Sequence, residues 1–101
     1  MLGKFKVITL CGNHELIDEF FQQQNRLTLE GNIVLSIIPF VNLVDKSQLI
    51  KNKKMLMAMH KQKIDLADEV LVINKGGHIG PDTKEEIEYA MKQNKPIIYL
   101  D

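Results

Sequence analysis

The chain from Ile64 to Ala90 reads IDLADEVLVINKGGHIGPDTKEEIEYA, and three kinds of segment follow one another in it. Glu69 to Asn74 is a short, nearly continuous apolar run, the pattern of a strand covered on both faces. The loop Gly76-Gly77-His78-Ile79-Gly80-Pro81 cannot continue that strand, and its three glycines are expected to supply positive-φ positions. Thr83 then reads as the amino-terminal cap of a helix with Ile87, Ala90 and Met91 on its inner face. Strand, glycine loop and helix make half of a βαβ unit, which requires a parallel partner strand.

The segments on either side supply that partner. Upstream, Asp45 and Gln48 have capping-box spacing, and a helical pattern runs through Leu49, Leu56, Met59, His60 and Ile64 to about Ala67, with a break near Asn52. Ile33 to Ile38 is a second apolar strand, ended by Pro39. Phe5 to Leu10 is a first strand, stopping at the turn Cys11-Gly12-Asn13. Between them His14 to Leu27 spaces Ile17, Phe20, Phe21 and Gln24 as a helix, with Asn13 as its cap. Downstream, Lys95-Pro96 leads into a last strand, Ile97 to Leu100.

Four strands alternating with three helices, without repeat or linker, predict one α/β domain spanning residues 1–101. The expected fold is a three-layer, flavodoxin- or Rossmann-like sandwich on a short parallel sheet of order 2-1-3-4. Ligands of such sheets bind beyond the strand carboxyl ends, at the switch between strands one and three. The loops Cys11 to His14, Phe40 to Asp45 and Lys75 to Thr83 should meet there.

Composition narrows the partners. Of 101 residues, 45% are apolar and 26% charged, which is ordinary for a folded globular domain. Lys+Arg and Asp+Glu balance at 13 each, so no net field favours a nucleic-acid polymer or an anionic membrane. Lys51, Lys53 and Lys54 form the nearest thing to a basic cluster, either a solvated helix face or the rim of a phosphate pocket. The single cysteine, Cys11, has no internal disulfide partner; with no apolar leader or membrane-length run, a reducing cytoplasm is expected.

Several familiar α/β chemistries do not fit. A phosphoryl-accepting receiver needs acids after strand one, where this chain has Cys11, Gly12 and Asn13. A dinucleotide site needs a glycine fingerprint there and an acid after strand two, where Pro39 and Phe40 stand. Ser36 and Ser47 lack a nucleophile-elbow context. His14, His60 and His78 are too scattered in sequence for a metal-ligand pattern. Neither a metal nor a cofactor is expected.

The Ala67-Asp68-x-Val70 strand entrance, the glycine loop, and Thr83-x-x-Glu86-Ile87-x-Tyr89-Ala90 resemble the nucleoside 2-deoxyribosyltransferase superfamily, as does Cys11-Gly12 after strand one. The resemblance covers nearly the whole chain. It implies cleavage or transfer at the N-glycosidic bond of a nucleoside or nucleotide, with Glu86, in the first turn of its helix, as the nucleophile that attacks the anomeric carbon. A carboxylate can take the glycosyl group through an oxocarbenium-like transition state and release it to water or another base. Glu86 has a second reading, as capping-box partner of Thr83.

His60 stands four residues before Ile64, where the resembled enzymes often place an aspartate that handles the leaving base. A histidine can donate that proton at neutral pH, or can simply be satisfied inside a helix interface. Gly12 and Asn13 offer backbone N–H groups to an anion or sugar hydroxyl. Where many relatives read Cys-Gly-Ser-Thr-Arg, this chain reads Cys-Gly-Asn-His-Glu, replacing the cationic arm by Glu15, with His14 as a partial substitute. Cys11, Gly12, Asn13, His14, Gly77, His78, Gly80, Asp82 and Thr83 are the expected substrate-binding residues, with Cys11 also readable as a packing residue. Glu85 and Glu88 should face solvent. Met55, Met57 and Met59 are core or subunit-contact residues, and the resemblance implies a homodimer. A non-catalytic nucleotide-binding homologue is the alternative function.

Overall fold

A computed structural model describes residues 3–101. The sheet has four strands, all parallel, in the order β2-β1-β3-β4. These are β1 Val7–Gly12, β2 Ile33–Leu35, β3 Glu69–Ile73 and β4 Ile97–Tyr99. The expected fold class and strand order are therefore observed. The helices are α1 Ile17–Leu29, α2 Phe40–Leu43, α3 Lys46–Lys51, α4 Lys53–Leu66 and α5 Pro81–Lys92.

Period-two alternation in the central strands divides the core in two. Ile8 and Leu10 of β1, with Leu71 and Ile73 of β3, pack on one face against Phe20 and Leu27 of α1 and Val41 of α2. Cys11 of β1, with Val70 and Val72 of β3, packs on the other face against Ile64 of α4 and Ile87 and Ala90 of α5. Three layers follow, with β1 and β3 buried at the centre.

Several boundaries differ from the sequence reading for local reasons. β1 runs two residues later than expected, because Cys11 and Gly12 continue its pairing with Val72 and Ile73. β2 stops at Leu35, where Ser36 Oγ accepts from the Ile38 amide and turns the chain out of the sheet. The long helix is broken at Asn52 into α3 and α4, as its pattern suggested. Asn13 does not cap α1: its side chain accepts from the Glu15 amide in a turn, and α1 begins after Leu16. Asp45 precedes α3 without a side-chain cap, its carbonyl accepting from Gln48 instead.

The α5 start is the largest correction. The helix begins at Pro81, after Gly80, and no side chain caps it. Proline suits a first helical position because its φ is already helical and the missing N–H had no intrahelical acceptor. Thr83 thus lies inside the first turn, buried, and Glu86 is the sixth helical residue, in the second turn rather than the first. The helix dipole acts on it weakly there. Met91, expected on the inner face, is 62% exposed. Gly76 and Gly77 have positive φ, but Gly80 does not. No helix among the described residues is long and apolar enough to cross a membrane.

Candidate functional site

Gly12 ends β1 because only a residue without Cβ fits there: a Cβ would stand 2.7 Å from the Ile73 carbonyl oxygen and 3.3 Å from the Phe20 ring. Beyond it the chain crosses the carboxyl end of the sheet, and a cleft of about 690 Å³ opens. Gly12, Asn13 and His14 form one edge. Val41, Asn42 and Val44 form a second, fixed to the first where Asn42 Nδ2 donates to the His14 carbonyl at 3.4 Å. Gly80 to Thr83 form the third, so the three expected loops do meet. α3 and α4 close the remaining wall with Lys46, Leu49, Lys53, Met57 and His60.

Glu86 lines this cleft from α5, its side chain 21% exposed. Its Oε2 lies 3.0 Å from His60 Nε2, and among the described residues no backbone amide engages it as a capping box would. The same His60 nitrogen lies 3.3 Å from Cys11 Sγ. Three elements that are distant in sequence, the end of β1, the middle of α4 and the second turn of α5, thus place a thiol, an imidazole and a carboxylate together. His60 is buried, and its Nδ1 has no hydrogen-bond partner among the described residues.

The surroundings of Cys11 set its protonation state. Burial, followed by the negative charge of Glu86 and a hydrogen bond to it, pushes the Cys11 thiol well above its ordinary range. Cys11 is therefore a thiol at neutral pH, donating rather than attacking. A Cys-His-Glu relay is also excluded by geometry, since a relay uses both ring nitrogens and here Nε2 alone meets both partners.

Of the expected substrate-binding residues, Gly12, Asn13, His14, Gly80, Asp82 and Thr83 line the cleft. Cys11 does not; it is 1% exposed and sits behind His60 and Glu86. Gly77 and His78 also lie outside it, exposed on the 3-10 turn Lys75–Gly77 and just past it. That turn is fastened to the chain end and to α1, where the Gly76 amide donates to Asp101 and Lys75 pairs with Glu19. Glu85 and Glu88 are exposed, and Glu85 pairs with Lys61. Of the three clustered lysines only Lys53 reaches the cleft. Lys46, at the start of α3, also lines the cleft and was not among the sequence candidates; the break at Asn52 separates it from Lys53, so no single helical repeat links the two.

No protein-family model matches the chain, and no curated protein matches it.

Proposed function

We propose that the chain is a member of the nucleoside 2-deoxyribosyltransferase-like superfamily and cleaves or transfers the N-glycosidic bond of a nucleoside or nucleotide. The observation that carries this reading is the Glu86 carboxylate, free of backbone caps, held by His60 Nε2 at 3.0 Å and facing a cleft of about 690 Å³. That volume lies in the range of small-ligand sites, and its walls mix apolar side chains with a few polar groups.

In this reading a Glu86 oxygen attacks the anomeric carbon as the bond from that carbon to the base nitrogen breaks. Protonated His60 donates to the departing base, so the base leaves neutral. Water, or the nitrogen of a second base, then attacks the same carbon and releases the Glu86 carboxylate, and His60 recovers a proton from the attacking group. Asn13, His14, Asp82 and Thr83 line the cleft; in this reading they contact the sugar, Asp82 through the sugar hydroxyls.

A binding protein without turnover is the second reading. Glu15 stands exposed where the resembled enzymes carry a cation, which favours it. Incubation with deoxynucleosides and nucleoside monophosphates, with free base read by chromatography, separates the two. The enzyme reading expects base release by wild type and none by Glu86→Gln; binding without release supports the second reading, and release by Glu86→Gln overturns the nucleophile.

A homodimer belongs to the same proposal. Phe40, Leu43, Ile50, Met55 and Met59 are 46–79% exposed along α2 to α4, beside the cleft. An apolar surface of that kind favours pairing. We place the protein in a reducing cytoplasm, where Cys11 stays a thiol.

A further inference from the structure

We propose that Cys11, His60 and Glu86 form a binding site for a zinc ion, and that the ion holds the glycosidic site in an inactive state. The inhibitory part rests on the function proposed above; the site itself does not.

The chemistry of the donors is that of zinc: one thiolate sulfur, one imidazole nitrogen and one carboxylate oxygen. Their spacing is also that of zinc. A tetrahedral ion with Zn–S of about 2.3 Å and Zn–N or Zn–O of about 2.0–2.2 Å holds its ligand atoms about 3.3–3.6 Å apart. Here sulfur and nitrogen are 3.3 Å apart and nitrogen and oxygen 3.0 Å, each within a few tenths of an ångström of that spacing, and all three ligand atoms lie within 4.8 Å of one another. A rotation of the Glu86 side chain on α5 brings its oxygen toward the sulfur and completes the site.

The three side chains come from β1, α4 and α5, which pack into one core, so the site is largely formed before metal arrives. His60 and Glu86 line the cleft, which gives the ion a route in and leaves its fourth position to water. Nothing among the described residues bonds His60 Nδ1. No acceptor at Nδ1 fixes which ring nitrogen carries the proton, so Nε2 is free to bind metal with the proton on Nδ1. Glu86 binds as the carboxylate, Cys11 loses its thiol proton to solvent, and His60 binds as the neutral imidazole, so a proton carried on Nε2 beside Glu86 is released as well. A metal-bound Glu86 cannot attack a sugar, so zinc and substrate turnover exclude each other.

Cobalt is the spectroscopic probe and zinc the affinity probe, both on reduced full-length protein. Wild type is expected to bind one Co²⁺ with a thiolate-to-cobalt charge-transfer band, and one Zn²⁺ in competition with a chromophoric chelator. Cys11→Ser should lose the band, and Cys11→Ser and Glu86→Gln should each weaken zinc binding by at least ~100-fold, beyond the usual effect of an outer partner. Circular dichroism of both variants checks that they fold. Absence of the band in wild type, or zinc affinity unchanged in both folded variants, overturns the site. Base release by metal-free protein that stops at one equivalent of zinc and returns with chelator supports the inhibitory role; release unaffected by bound zinc overturns that role. Zinc binding without any base release from metal-free protein leaves the site standing and overturns the glycosidic reading.

Discussion

Glu86 and Cys11 are acids in contact with the same imidazole nitrogen, yet the structure gives them opposite tasks. The carboxylate reaches the cleft, whereas the thiol is sealed behind it and holds its proton. In metal-free protein Cys11 should therefore resist thiol reagents at neutral pH and react only after denaturation, as followed by mass shift with an alkylating agent. Because the folded thiol titrates above the unfolded one, it contributes stability that is present below about pH 8.5 and is lost as pH rises through the higher folded value. The melting temperature should fall above that pH more steeply in wild type than in Cys11→Ser, a comparison in which the similarly raised Tyr89 cancels. Gly12 gives a separate test. Gly12→Ala pushes a methyl against the Ile73 carbonyl, which cannot move without disturbing β3, and should cost about 1–3 kcal/mol in urea unfolding.

Among the elements, α5 shows what could and could not be read from sequence. Its existence and its buried Ile87 and Ala90 follow from helical spacing, and the alternation of strands and helices was enough for the sheet order. Its start was misplaced by three residues, because Thr83 has a cap's chemistry while Pro81 has the first-position geometry, and only the packed structure decides between them. Thr83→Val should accordingly leave stability within about 0.5 kcal/mol by chemical denaturation, since no hydrogen bond of the hydroxyl is lost; a true cap would cost about 1 kcal/mol. The opposite holds at the end of α4. Lys95 Nζ donates to the Asp65 and Ala67 carbonyls at 3.0 and 2.8 Å, satisfying helix-end acceptors that the sequence did not pair with it. Lys95→Met should destabilise by about 1 kcal/mol, read as a lower denaturation midpoint. The grouping of Cys11, His60 and Glu86 was hidden for a related reason: 49 residues separate the first two, and only the packing of α4 and α5 against one sheet face joins them.

For the whole molecule, the parallel sheet carries three loops to one end, and α2 to α4 wall the cleft beyond the strand carboxyl ends. The same helices leave Leu43 and Ile50 at least 70% exposed, and light scattering at micromolar concentration should find a dimer; a monomer would remove that part of the proposal. The proposed activity depends on Glu86 forming a bond to sugar. Its most direct test is rapid acid quenching of metal-free protein during turnover of a deoxynucleoside or its monophosphate, followed by peptide mass mapping. The expected result is a glycosyl adduct on the peptide that contains Glu86, absent from Glu86→Gln. Base release with the adduct on another residue, or release that persists in Glu86→Gln, would contradict it.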